Sequence, residues 1–247
     1  MLPRTKADYK VNEPTSEEQL DKETATRPFP NAAWLTLGGN QSWTDHHWRG
    51  GWRMQQHALS GHWRLLNPRN VRMAWGSREQ CLQRLDEERI ERRIDHDRVV
   101  FLLHGLLRSW RSMRSLGDYL TQSLPVTVAY FEYASSRGAI RQHAAAFAEV
   151  LAGLPSDLRI DLVCHSMGNI VVRRMLREFE ATADPRMERI DHMVMLGPPN
   201  QGSSIDRLLA RTGIFGFLTG PGGLELGAGW EACSAELATP RCPFGIV

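Results

Sequence analysis

A doubly wound α/β fold, a mostly parallel sheet with helices on both faces, is the architecture this sequence predicts. Three observations carry that prediction. Between residues 98 and 196, strand-like runs (Val99–Leu103, Val126–Phe131, 159–163 and Met193–Leu196) alternate with segments of helical period at 115–124, 139–154 and 167–180. The links between them are short, as in chains that lay successive strands side by side and cross over through helices. The run Val99–Leu103 is apolar without alternation, which fits a strand covered on both faces.

Taken in order, residues 1–30 mix Lys, Glu, Asp, Thr and Pro with few large apolar side chains, a composition that predicts a flexible tail. Residues 31–97 form the next region. Trp34, Trp43, Trp48, Trp52, Trp63 and Trp75 are interleaved there with Gly, His and Arg. The alternating pieces Trp52–His57 and His62–Leu66 predict strands joined by glycine turns, a small β extension whose tryptophans pack on the main domain. His46, His47, His57 and His62 lack acidic or cysteine companions at ligand spacing, so no metal site is expected. Ser77 and Gln80 have capping-box spacing, and Cys81, Leu82, Leu85 and Ile90 give the following helix its apolar positions.

Residues 98–247 make up the α/β domain. Residues 211–230 are glycine-rich with Phe215, Phe217 and Leu218 and predict a mobile or partly helical flap. The final Pro243–Val247 reads as the start of another buried strand.

The chemistry concentrates at predicted carboxyl ends of strands, where open parallel sheets place their sites. After the third strand comes Cys164-His165-Ser166-Met167-Gly168, and a helix begins at once. A serine on such a strand-to-helix turn, flanked by small residues, has the form of a nucleophile elbow. The turn lifts Oγ clear of the sheet and sets the Met167 N–H at a helix N-terminus, aimed at developing negative charge. His104-Gly105-Leu106 follows the first strand, and its Leu106 N–H is the candidate second donor. His104 itself is expected to brace that loop. Gly197–Gly202 follows the fourth strand.

Residues 98–210 resemble the α/β-hydrolase family, and within it the lipase- and esterase-like members. The resemblance rests on His104-Gly105-Leu106, on His165-Ser166-Met167-Gly168 and on Leu196-Gly-Pro-Pro-Asn-Gln-Gly-Ser203. It implies that Ser166 is the nucleophile of a serine hydrolase acting on carboxylic esters through an acyl-enzyme. Leu106 and Met167 would form the oxyanion hole, with His104, Gly105, His165 and Gly168 in support.

Two departures stand out. Cys164 occupies the position usually held by glycine, which predicts a slightly wider elbow. The only histidine after Ser166 is His192, at the amino-terminal start of its strand and about 13 Å from the active edge at ~3.3 Å per residue. Asp206 and Glu225 offer acids without a base to orient. By resemblance the family's acid and histidine come later than residue 247, so the domain is expected to be incomplete at its C-terminus. The alternative is a non-catalytic protein of this fold that uses its pocket and tryptophan-rich extension for binding. A third reading takes a base from His46, His47, His57 or His62, or from a partner chain.

Composition bounds the rest. A net charge of +2 gives no nucleic-acid partner, and no run nears the ~18 apolar residues of an integral membrane segment. No secretory leader is visible, so a cytoplasmic location is expected. No cofactor is implied. The expected partner is a small-molecule or lipid-like acyl ester, with an apolar acyl group suggested by the flap.

Overall fold

Five strands form one parallel sheet in the computed structural model. They are β5 (Arg98–Leu103), β6 (Thr127–Phe131), β7 (Arg159–His165), β8 (Ile190–Leu196) and β9 (Phe244–Ile246). Their order is β6-β5-β7-β8-β9, and every neighbouring pair runs parallel. The structure describes residues 39–88, 96–199, 221, 225 and 229–247. The expectations for the tail 1–30, for Trp34, Ile90 and Asp206, for residues 200–203 and for most of 211–230 lie outside the described residues. Contacts separate residues 1–34 from 35–247, and everything described belongs to the second group.

The sheet is covered on both faces, which explains the unbroken apolar run of β5. Val99, Phe101 and Leu103 face one side, together with Ile160, Leu162 and Cys164 of β7. There they meet the buried faces of α3 (Ile140–Ala152) and α4 (Met167–Thr182). Val100 and Leu102 face the other side and pack with Met113, Leu116 and Leu120, the last two from α2 (Arg114–Ser123). The doubly wound prediction is therefore met.

The tryptophan-rich region forms a second sheet, antiparallel and in sequence order: β1 (Trp43–Arg49), β2 (Trp52–His57), β3 (Trp63–Leu66) and β4 (Arg72–Gly76). Met54 and Leu65 of this sheet close a small core with Cys81 and Leu85 of α1 (Arg78–Glu87). Ser77 caps that helix with the predicted box: its Oγ accepts from Gln80 N, while Gln80 Oε1 accepts from Ser77 N. The helix thus packs on the antiparallel sheet. Trp48 leaves this sheet to join the main core, edge-on to Phe101 with ring centroids 6.2 Å apart.

Two expectations about the sheet need correction. The strand at the chain's end forms but is not buried: β9 is an edge strand, with Phe244 44% and Ile246 57% exposed. The strand before Gly197 starts at Ile190 rather than Met193, because Asp191 and His192 hide its apolar pattern behind ion pairs.

Candidate active site

β7 and α4 meet at Ser166 with no intervening loop, and the backbone there is strained. Ser166 has φ +50° and ψ −115°, outside the regions a side-chain-bearing residue ordinarily adopts. Such a conformation costs on the order of 1–3 kcal/mol and persists only where its surroundings enforce it. They do so from three sides. Ser166 N donates to Leu196 O of β8 at 2.9 Å. The buried Asn169 Nδ2 donates to Ser166 O at 3.0 Å and to Leu196 O at 3.3 Å. Gly168 lies so close to β5 that a methyl group there would come within 2.9 Å of Leu103 O and 3.0 Å of His104 O.

The turn after β5 lies against this elbow. A methyl group on Gly105 would meet Ser166 Cβ at 3.2 Å and His165 Nδ1 at 2.9 Å, so any side chain there must displace one of these groups. His104-Gly105-Leu106 and His165-Ser166-Met167-Gly168, separate in sequence, are thereby brought together. His165 is exposed; partial burial, then Arg108, lowers its pKa.

His104 is fully buried and structural. Its Nδ1 hydrogen-bonds Gly105 O at 2.9 Å, and its ring stacks on Tyr133 at 4.3 Å. The Tyr133 hydroxyl donates to His104 O at 2.6 Å. Burial holds the imidazole neutral, with its pKa pulled down to about 4. Cys164 is fully buried between Leu103 and Met195, and burial pushes its thiol well up from the ordinary value. The elbow survives with cysteine at the usual glycine position.

Six other histidines sit in surroundings of their own. His192 Nδ1 pairs with Asp161 Oδ1 at 2.9 Å, near the amino end of the sheet. His46 meets Glu149 at 3.2 Å, His57 meets Ser60 Oγ at 2.8 Å, and His62 stacks on Trp75. His47 lies against Gly153, where α3 has ended. His143 is buried among Tyr133 and its neighbours, with a pKa lowered by burial to about 4. Glu225, one of the two candidate acids, accepts the Ile140 N–H at 2.7 Å and so caps α3. No group of His, Cys, Asp or Glu among the described residues is arranged to hold a metal ion. A groove of about 850 Å³ between α3 and α4 is lined by Ala148, Met175 and Phe179; Ser166 does not line it.

Sequence reasoning missed the polar residues beneath the site. Asn169 is a polar residue inside an otherwise apolar helix face, and that break in pattern was its one signal. Glu132, at the carboxyl end of β6, is buried beside Asp45 of β1. Asp45 Oδ2 accepts the Glu132 N–H at 2.7 Å, and Glu132 Oε2 accepts the Trp110 N–H at 2.8 Å. Burial first, and then the Asp45 carboxylate, push Glu132 up to about 8 against the pull of that N–H bond. Nothing local in the sequence signals this pair.

Residues 99–207 match the model of a family described as α/β hydrolases of unknown function. Among solved structures, a metagenomic carboxyl esterase is similar at 19% identity, covering 62% of this chain and 50% of that one, with a TM-score of 0.43. A Bacillus licheniformis lipase in mature form is similar at 15% identity, covering 62% and 66%, with a TM-score of 0.46. A thioesterase of the prodiginine pathway of Streptomyces coelicolor is similar at 21% identity, covering 61% and 69%, with a TM-score of 0.42. The alignment thus spans one half of the first of these proteins and just under two thirds of the second. No curated protein matches the chain.

Proposed function

With its membership of the α/β-hydrolase superfamily as the premise, we propose that this chain is a serine hydrolase of carboxylic esters that reacts through an acyl-enzyme at Ser166. The observation that carries the reading is the strained Ser166 backbone, φ +50° at a strand-to-helix junction, with Gly105 packed against it. Strain of this kind collects where a side chain must be held for reaction.

In the proposed reaction Ser166 Oγ bonds to the acyl carbon, and its proton passes to the departing alcohol. The carbonyl oxygen becomes an oxyanion facing the N–H groups of Leu106 and Met167. One such donor is worth roughly 3–4 kcal/mol of transition-state stabilisation. Water then cleaves the acyl–Oγ bond, releasing the acid and restoring the serine. His104, Gly105, His165 and Gly168 shape the turn and the elbow.

A second reading, a non-catalytic binding protein of the same fold, draws support from one observation. His104, His143 and His192 are engaged elsewhere, which leaves Ser166 without a base from any of them.

A fluorophosphonate probe separates the two. It needs only a reactive serine and an oxyanion site, and the adduct is located by mass spectrometry. Slow labelling at Ser166, abolished in Ser166→Ala, is the expected result, because loss of one triad member leaves a residue of catalysis. An unlabelled Ser166 would sink the hydrolase reading.

A further inference from the structure

Hydrogen bonds hold the turn Gly105–Arg108 at its first, third and fourth residues, while Leu106 packs on the main core. Gly105 O accepts from His104 Nδ1 at 2.9 Å and from Arg108 N at 3.2 Å. Leu107, in the left-handed region at φ +56°, donates its N–H to Ser135 Oγ at 3.0 Å. Arg108 O accepts from Gln41 Nε2. Gln41 also holds Ser135: its Oε1 accepts from Ser135 Oγ at 2.9 Å, from Ser136 Oγ at 3.1 Å and from Ser136 N at 3.3 Å. One amide, placed just ahead of β1, thus ties both the turn after β5 and the loop after β6.

Its placement is itself secured. In the same segment Thr44 Oγ1 accepts the Ala134 N–H at 3.1 Å, and Asp45 N donates to Glu132 O at 2.8 Å. Ser135 is fully buried, so water does not readily replace the missing bond when Gln41 is truncated.

We propose that Gln41 is a positioning residue for the Ser166 site, fixing the turn Gly105–Arg108 through Ser135 so that the Leu106 N–H faces the acyl oxygen. The proposal rests on the hydrolase reading. It gives the tryptophan-rich extension a task in the reaction: a residue just ahead of its first strand sets an oxyanion donor that follows a strand of another sheet. Gln41 touches neither the substrate nor Ser166. Its effect is therefore on the rate of the bonding step and not on substrate affinity.

Fluorophosphonate inactivation of the whole protein, resolved into kinact and KI, tests this on Gln41→Ala, Ser135→Ala and the double variant. Each single change is expected to lower kinact about 10–100-fold with KI unchanged, since a displaced donor costs rate steeply. The double variant is expected to be no slower than either single, because both act through one turn. Amide exchange at Leu106–Arg108 should quicken in both singles. Ser135→Ala leaves the N-terminal segment intact and decides the matter if Gln41→Ala folds poorly. An unchanged kinact, a loss expressed in KI, or losses that multiply in the double variant would overturn the positioning role. A wild type that is never labelled defeats the hydrolase reading first, and this one with it.

Discussion

The two ends of β7 put their polar groups to opposite uses. At the amino end, Asp161 accepts two bonds from Arg98 Nη1 at 2.9 Å and one contact from His192 at 2.9 Å, while Arg98 Nη2 reaches Asp191 at 3.0 Å. Arg98, Arg159, Asp161 and Asp191 there each have a partner of opposite sign. At the carboxyl end the polar groups are mostly backbone, bent into a conformation that costs energy, with Ser166 at the bend. His192 and Asp161 have the residue types of a catalytic histidine–acid dyad and a good contact distance. They sit five residues from Ser166, about 16 Å along a strand at ~3.3 Å per residue. In this chain, mutual satisfaction marks support and enforced backbone strain marks the candidate chemistry.

That contrast can be broken in three places. The largest loss is expected for Gly168→Ala. Its new methyl group meets the main-chain oxygens of Leu103 and His104 at 2.9 and 3.0 Å, and these cannot rotate away. A loss of about 3 kcal/mol in denaturant unfolding is expected, with fluorophosphonate labelling falling alongside. A neutral Gly168→Ala would mean that the elbow is looser than described.

Glu132→Gln is expected to act through pH. The folded-state pKa of about 8 lies above the ordinary 4.5, so the stability that Glu132 contributes is complete below pH 4.5 and is lost as pH rises through 8. Glutamine mimics the protonated acid. The variant should be more stable than wild type by about 2–4 kcal/mol at pH 8.5 and indistinguishable from it near pH 4.5. Parallel stability–pH curves for the two proteins would refute the buried, protonated state.

The smallest effect belongs to His192→Ala. Its side chain is half-exposed, and Asp161 keeps Arg98, so stability should change by about 0.5 kcal/mol or less. Labelling at Ser166 should proceed at the wild-type rate. A loss of labelling here would reverse the contrast between the two ends.

How much of this was legible beforehand follows from where the information lies. β5, β6 and α3 declare themselves through local period, and the Ser77–Gln80 cap through local spacing. The elbow was legible because a tight turn constrains residues that are neighbours in sequence. β1 was not drawn from the sequence, since Trp43–Arg49 alternates around a bulge between Asp45 and His47. Gln41, Ser135 and the Asp45–Glu132 pair were invisible for a different reason. Gln41 and Ser135 lie 94 residues apart and Asp45 and Glu132 87, and each has an ordinary identity in an ordinary local setting. The exposed β9 shows the converse limit: an apolar run predicts a strand, while its cover depends on what else packs there.

The buried thiol at Cys164 has a practical consequence. It lies two residues from Ser166, wholly enclosed by the sheet and α4, and its elevated pKa keeps it protonated at neutral pH. An alkylating reagent therefore reaches it only during excursions that open the junction of β7 and α4. Its rate of modification is an intrinsic clock for those excursions. Cys233 and Cys242, only partly enclosed, supply a faster hand on the same dial. The protein thus reports, without any added label, how often the ground beneath its serine gives way.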